Sequence, residues 1–283
     1  MIPKIIHYCW FGGKPLPELA QKCIASWKKF LPDYEIIEWN ESNYDVRKIP
    51  YTAQAYDAGK YAFVSDYARF DILYRHGGIY FDTDVEVIRP LDDILARGAF
   101  AGVESADHPS RALAAGLGLA SPAASPVYCE ILDSYETATF LNDDGSMNLT
   151  TVVERVSGIF RRHGLSDRNE IQEIAGITVY PAEYFCPKDY RTGALNVTEN
   201  TYTIHHFDGS WLTKEDLEKV KLGRKIHSKI RIKFLAEIIF LTQCFFKRLK
   251  KEGLGKAINY YFSKHLFKST TKQGNKNENF YPN

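Results

Sequence analysis

Short apolar runs alternate along this chain with longer segments in which apolar side chains recur every three or four positions. KIIHYCWF (4–11), YEIIEW (34–39) and GIYFDTDVEVI (78–88) have the length and β-branched or aromatic content of strands. LPELAQKCIASWKKFL (16–31) carries the helical period and opens on a proline. SDYARFDILYRHGG (65–78) predicts a helix capped by Ser65 or Asp66 and stopped by its two glycines. AFAGVE, GLGLAS, GITVYP and YTIHHF read as further strands, with helices near 126–139 and 148–163. Strands interleaved with helices predict an α/β domain around a mostly parallel sheet, over residues 1–220. Ligands in such sheets bind at the carboxyl ends of strands.

From residue 221 the pattern changes. KIRIKFLAEIIFLTQCFFKRLKK (229–251) sets a mostly apolar stretch, 234–246, between basic clusters. The stretch is too short to span a bilayer and contains Glu237, but a basic-flanked apolar helix suits an anionic membrane surface. The last residues, STTKQGNKNENFYPN, predict a disordered tail. Residues 221–283 thus form a basic helical C-terminal region.

Charge sharpens that division. The formal net charge of +1 conceals 15 Lys/Arg against 3 Asp/Glu after residue 220, and 21 against 32 before it. An acidic body is a poor partner for nucleic acid, and a basic appendage is suited to an anionic surface. Five scattered cysteines without a C-x-x-C spacing predict neither a disulfide framework nor a zinc site, and imply a reducing compartment. MIPKIIHYCWFGG has too short an apolar run and no small-residue cleavage site for a secretory signal.

The chemistry begins at GGIYFDTDV (77–85). Side chains alternate along a strand, so Asp82 and Asp84 are expected on one side with Thr83 opposite. Two like charges that close repel unless a cation lies between them. Asp66 and Arg69, three apart, share a helix face: the carboxylate accepts hydrogen bonds and the guanidinium donates them in a fixed fork. HHFDGSW (205–211) adds two histidines, a hydroxyl and an indole N–H directly after a strand. A neutral imidazole joining carboxylate oxygens suits manganese or a related ion. FDTDV also fits the D-x-D-x-[TV] nucleophile pattern of haloacid-dehalogenase-type phosphatases, but that motif usually lies on the first strand and leaves Asp66, Arg69 and HHFDGSW unexplained. A non-catalytic nucleotide-sugar-binding module is the other alternative.

IHYCWFGG, SDYARFDILYRHGGIYFDTD and HHFDGSW, in that order, closely resemble glycosyltransferase family 32, the D-x-D enzymes often found in capsule and lipopolysaccharide synthesis. The likeness extends to the catalytic domains of the clostridial glucosylating toxins and, more distantly, to family 8 galactosyltransferases. It covers residues 2–215. It implies a GT-A fold, a divalent cation (Mn2+ or Mg2+), and retaining transfer of a hexose from a nucleotide sugar, UDP-linked by preference, to a hydroxyl of a growing surface polysaccharide; the basic C-terminal region, outside the likeness, adds the expectation that this acceptor is lipid-linked. It implies that Trp10 stacks on the base, that Ser65 and Tyr80 line the nucleoside pocket, and that Asp66 and Arg69 hold the donor sugar. Asp82 would touch the ribose and a metal-bound water, and Asp84 the metal itself. His206 matches the metal-closing histidine of family 8, with His205 as second choice. Ser210 and Trp211 match the toxin loop over the diphosphate, and Trp211 joins Asp66 and Arg69 as catalytic. The expected location is cytoplasmic, peripheral at the inner face of the membrane.

Overall fold

A computed structural model describes residues 1–104, 112–190, 192–209, 214–230 and 233–260. The chain divides into two compact units, Met1–Lys188 with Leu195–Trp211, and Asp189–Ala194 with Leu212–Asn283.

In the first unit the strands are β1 (Ile5–Cys9), β2 (Glu35–Trp39), β3 (Gly78–Tyr80), β4 (Val85–Val87), β5 (Phe100–Gly102), β6 (Leu119–Ser121), β7 (Gln172–Ile174), β8 (Ile177–Tyr180) and β9 (Thr203–His205). Its helices are α1 (Glu18–Phe30), α2 (Pro50–Asp57), α3 (Tyr61–His76), α4 (Asp92–Leu95), α5 (Pro126–Glu136), α6 (Val152–Arg162) and α7 (Ala182–Phe185). Seven strands form one sheet in the order β2-β1-β3-β6-β5-β8-β7. β1, β2, β3, β5 and β8 run one way, and β6 and β7 run against them. This is the mixed α/β architecture with a largely parallel central sheet expected from the sequence.

The structure breaks one expected strand in two. GIYFDTDVEVI forms β3, then a turn in which the amide of Val85 donates to the carbonyl of Asp82, then β4. β4 leaves the large sheet and pairs antiparallel with β9 in a separate two-stranded ribbon, Val85 opposite His205. The two aspartates sit in the crossing, at the carboxyl end of β3. The ribbon is braced by α1: the buried Trp27 indole donates to the carbonyl of Val85 at 2.7 Å, and the hydroxyl of Ser26 accepts from the amide of Val87 at 2.9 Å.

α3 starts at Tyr61, one turn earlier than the capping pattern indicates, so Ser65 and Asp66 lie inside the helix. Without a chain end to cap, the Ser65 hydroxyl donates back to the carbonyl of Tyr61 at 3.1 Å. The helix packs on β1 and β3 and buries Val64, Ala68, Phe70, Ile72 and Leu73 completely. Burying a ring such as Phe70 contributes about 2–3 kcal/mol, which fixes the rotation of the whole helix. Gly77 and Gly78 end it at φ +64° and +103°, where a Cβ would meet the amide of Ala123 and the carbonyl of Ile5 at 2.7 Å each.

The second unit contains α8 (Lys214–Lys229) and α9 (Lys233–Glu252), so the C-terminal region is helical as expected. The two helices pack together, with Lys247 and Lys251 of α9 paired to Glu218 and Glu215 of α8. The tail from 261 lies outside the described residues.

Candidate active site

α3 and the β3–β4 turn bring three charged groups together. The Arg69 guanidinium, only 5% exposed, lies 2.9 Å from Asp66 Oδ1 and 3.3 Å from Asp82 Oδ1. Its Nε donates to the carbonyl of Ser65, and the ring of Tyr80 lies 5.0 Å from the guanidinium carbon. The Tyr80 hydroxyl donates to Asp82 Oδ1 at 3.1 Å. Arg69 is therefore the shared cation between the Asp66 carboxylate on α3 and the first aspartate of D-x-D. Burial pushes the Asp66 carboxyl up to about 6 against the opposing pull of Arg69, leaving it an ionised but poorly solvated acceptor at neutral pH.

Asp84 occupies the start of the ribbon. Its Oδ1 lies 3.2 Å from His205 Nε2, and its Oδ2 accepts from the amide of Asp208 at 2.9 Å. Burial raises its pKa, but His205 and the backbone donors outweigh that and hold it at about 2. One ligand atom each from Asp82, Asp84 and His205 lies within 4.8 Å of the others. Two carboxylates and an imidazole form a hard, anionic donor set that fits manganese or magnesium. Burial disfavours the charged form of His205, yet Asp84 and the neighbouring Cys186 hold its pKa well above the usual histidine range, so a cation binding here displaces a proton.

Of the two histidines, His205 faces the aspartates and His206 does not. Neighbouring residues on a strand point to opposite sides. His206 Nε2 pairs with Glu86 Oε2 at 2.8 Å on the far side of the ribbon, where Lys22 also reaches Glu86. Asp82 and Asp84 thus gather with His205, the second choice for the third ligand, while His206, the first choice, faces Glu86. What His206 contributes to the site is its amide, which donates to the carbonyl of Asp84 at 2.9 Å.

Trp10 is half-buried at the carboxyl end of β1, its indole donating to the carbonyl of Lys14. Ser65 lies one turn before Arg69 on α3. Ser210 and Trp211 lie outside the described residues. Two neighbours of the cluster were not anticipated. Arg155 on α6 donates to the carbonyl of Ser134, stacks 4.1 Å over the ring of Tyr135, and adds positive potential at Asp66. Gly116 donates no side chain but accepts the amide of Asp82 on its carbonyl at 3.1 Å. Glu86 was not singled out either, although it continues the acidic alternation of D-T-D-V-E, whereas Arg155 and Gly116 are brought in by tertiary packing alone.

Comparison with known proteins bears on this region. Residues 17–101 match the family model described as glycosyltransferase sugar-binding region containing DXD motif. Such regions typically bind a divalent metal. Inositol phosphoceramide mannosyltransferase 3 of Schizosaccharomyces pombe is 35% identical over 101 residues, 33% of this chain and 27% of that protein. Mannosyl phosphorylinositol ceramide synthase SUR1 of Saccharomyces cerevisiae is 35% identical over 108 residues, 35% of this chain and 27% of that protein. The matched segments thus span about a quarter of those relatives. The solved structure of PaToxG glycosyltransferase aligns over 57% of this chain and 69% of its own, with a TM-score of 0.44 and 20% identity. Residues 17–101, from α1 into β5 with Asp82-Thr83-Asp84 inside them, are thus the part of this chain that is similar to a glycosyltransferase sugar-binding region of the DXD type.

Proposed function

We propose that the chain is a retaining, metal-dependent glycosyltransferase that moves a hexose from a nucleotide sugar to a hydroxyl of a lipid-linked surface polysaccharide. The observation that carries this reading is Arg69 bridging Asp66 and Asp82 beside the Asp82–Asp84–His205 cluster. Asp66 accepts hydrogen bonds from donor-sugar hydroxyls and, in its dry setting, favours the oxocarbenium character that develops at the sugar. Arg69 and Tyr80 hold Asp82 in place, so the sugar and nucleotide ends of the donor are registered against one rigid fork. A divalent cation held by Asp82, Asp84 and His205, when bound, neutralises charge on the departing diphosphate. Trp10 and Ser65 serve the nucleoside, and Ser210 and Trp211 cover the diphosphate. The acceptor hydroxyl attacks from the face the leaving group vacates, which requires no covalent nucleophile.

A UDP-hexose is the favoured donor on the nucleoside-side residues. The named activity of the yeast relatives makes mannose the hexose to try beside glucose, galactose and N-acetylglucosamine. The test is nucleotide release from a panel of UDP- and GDP-sugars with manganese or EDTA. Manganese-dependent release from one donor, lost in Asp84→Asn, is expected. Release that ignores both EDTA and the substitution would sink the reading.

The second unit supports a membrane-held acceptor. Among the described residues no helix is long and apolar enough to cross a membrane. On α9, however, Phe234, Leu235, Ile238 and Phe246 are exposed, Phe234 by 77%. At 3.6 residues per turn they fall within an arc of about 120°, opposite the buried Ala236 and the lysines paired to α8. An apolar stripe on a strongly basic segment fits the interface of an anionic bilayer, at the cytoplasmic face of the membrane. Full-length protein should sediment with phosphatidylserine vesicles at low salt, and Phe234→Asp with Ile238→Asp should abolish it. Equal sedimentation of the variant would remove the membrane from this proposal.

A further inference from the structure

A second cleft lies within the first unit, away from the aspartates. It has a volume of about 530 Å³ and is lined by Tyr180, Tyr184 and Tyr202 together with Asp93, Arg97 and Asn200. Tyr184 and Tyr202 are half-buried and parallel to within 6°, their ring centroids 6.3 Å apart, and Tyr180 packs on Tyr184 at 4.9 Å. The Arg89 guanidinium carbon lies 5.0 Å from the centre of the Tyr202 ring. Tyr180 is 1% exposed and forms the floor of the cleft beneath Tyr184.

The chemistry of the lining selects among ligands. Aromatic faces take the apolar C–H face of a sugar ring, while tyrosine hydroxyls, an amide and one charge of each sign take its hydroxyls. A nucleotide would need a surplus of cations for its phosphates, and here Asp93 offsets Arg97. A lipid chain would strand both charges and the Asn200 amide. An uncharged, hydroxyl-rich ring matches all of them.

The cleft is also separate from the donor site. Tyr202 precedes β9 and His205 ends it, which puts them roughly 10 Å apart at a strand's rise per residue, and three positions of alternation put them on opposite sides of the ribbon. We infer that the Tyr180–Tyr184–Tyr202 cleft is an auxiliary saccharide-binding site that retains the glycan chain away from the reacting centre. The inference rests on the transferase reading for its purpose but not for its binding chemistry.

Saturation-transfer NMR on the full chain, with a panel of neutral mannan-, galactan- and glucan-derived tetra- to hexasaccharides as probes, tests it. At least one oligosaccharide should bind wild type and Asp84→Asn alike. Tyr202→Ala should weaken binding about tenfold, and the exposed-site variant Arg97→Ala should weaken it without touching the aromatic packing. Both variants should retain wild-type nucleotide release from the donor. No binding from any probe, or binding indifferent to Tyr202→Ala and Arg97→Ala, overturns the site. Binding abolished by Asp84→Asn assigns the saccharide to the donor site and overturns it too. Oligosaccharide binding that follows Tyr202 in a protein releasing no nucleotide would sustain the cleft while removing the transferase reading.

Discussion

Gly116 has no side chain because Asp82 occupies its place: a Cβ at Gly116 would stand 1.9 Å from Asp82 Oδ2 and 2.9 Å from its Cγ. The same glycine accepts the Asp82 amide on its carbonyl, so backbone and carboxylate are registered by one residue. In Gly116→Ala the flexible carboxylate must rotate away, which breaks its contacts with Arg69 and Tyr80. The fold should survive, with a thermal midpoint within a few degrees of wild type. Nucleotide release and manganese affinity should each fall at least about tenfold, the equivalent of ~1.4 kcal/mol of misplaced charge. Calorimetric titration with manganese, alongside thermal melting, reads both. Unchanged manganese affinity in a folded variant would show that Asp82 does not need this cradle.

The ribbon geometry separates the two histidines experimentally. His205→Ala removes the imidazole that faces Asp84 and should weaken manganese binding by about 10–100-fold. His206→Ala breaks a pair with Glu86 on the other side, both partners about 20% exposed, and should cost under about 1 kcal/mol of stability with manganese affinity within a factor of two. Equal losses in the two variants, or a larger one in His206→Ala, would show that the ribbon twists on loading.

The doubled histidine shows where the sequence stops being readable. The order of D-x-D, HHFDGSW and the Asp66/Arg69 spacing is a property of the chain, and so were the α/β class and the acids at a strand's carboxyl end. Which histidine faces inward depends on the register Val85–His205, which only the pairing of two distant three-residue strands determines. For the same reason the split of 78–88 was hidden, because an unbroken alternating run looks alike whether or not its halves join different sheets. Arg155 and Gly116 carry no local signal at all. One is an ordinary helical arginine and the other one glycine among nineteen until α6 and the 114–118 segment pack beside Asp66 and Asp82.

Two buried groups give the fold an unusual acid profile. The fully buried His7 receives the Trp39 indole N–H on Nδ1 at 3.1 Å, and indole only donates, so its proton sits on Nε2 and goes to the carbonyl of Gly77 at 2.9 Å. Burial, with the nearby His76, lowers its pKa to about 4. As pH falls below 6.5 the unfolded chain takes up a proton that folded His7 refuses, so stability is lost between about 6.5 and 4, by roughly 3 kcal/mol in full. Asp66 acts in the opposite sense. Its folded pKa of about 6 lies above the model-peptide value of 3.8, so the folded state binds the proton first and stability is regained as pH falls through 6 towards 3.8, again by roughly 3 kcal/mol. The two contributions nearly cancel over the same window. Urea unfolding at pH 7, 6, 5 and 4.5 should therefore show a shallower slope in wild type than in either single variant. His7→Gln should gain stability on acidification relative to wild type, and Asp66→Asn should lose it. Parallel slopes in all three proteins would mean that neither group titrates differently between the folded and unfolded chain.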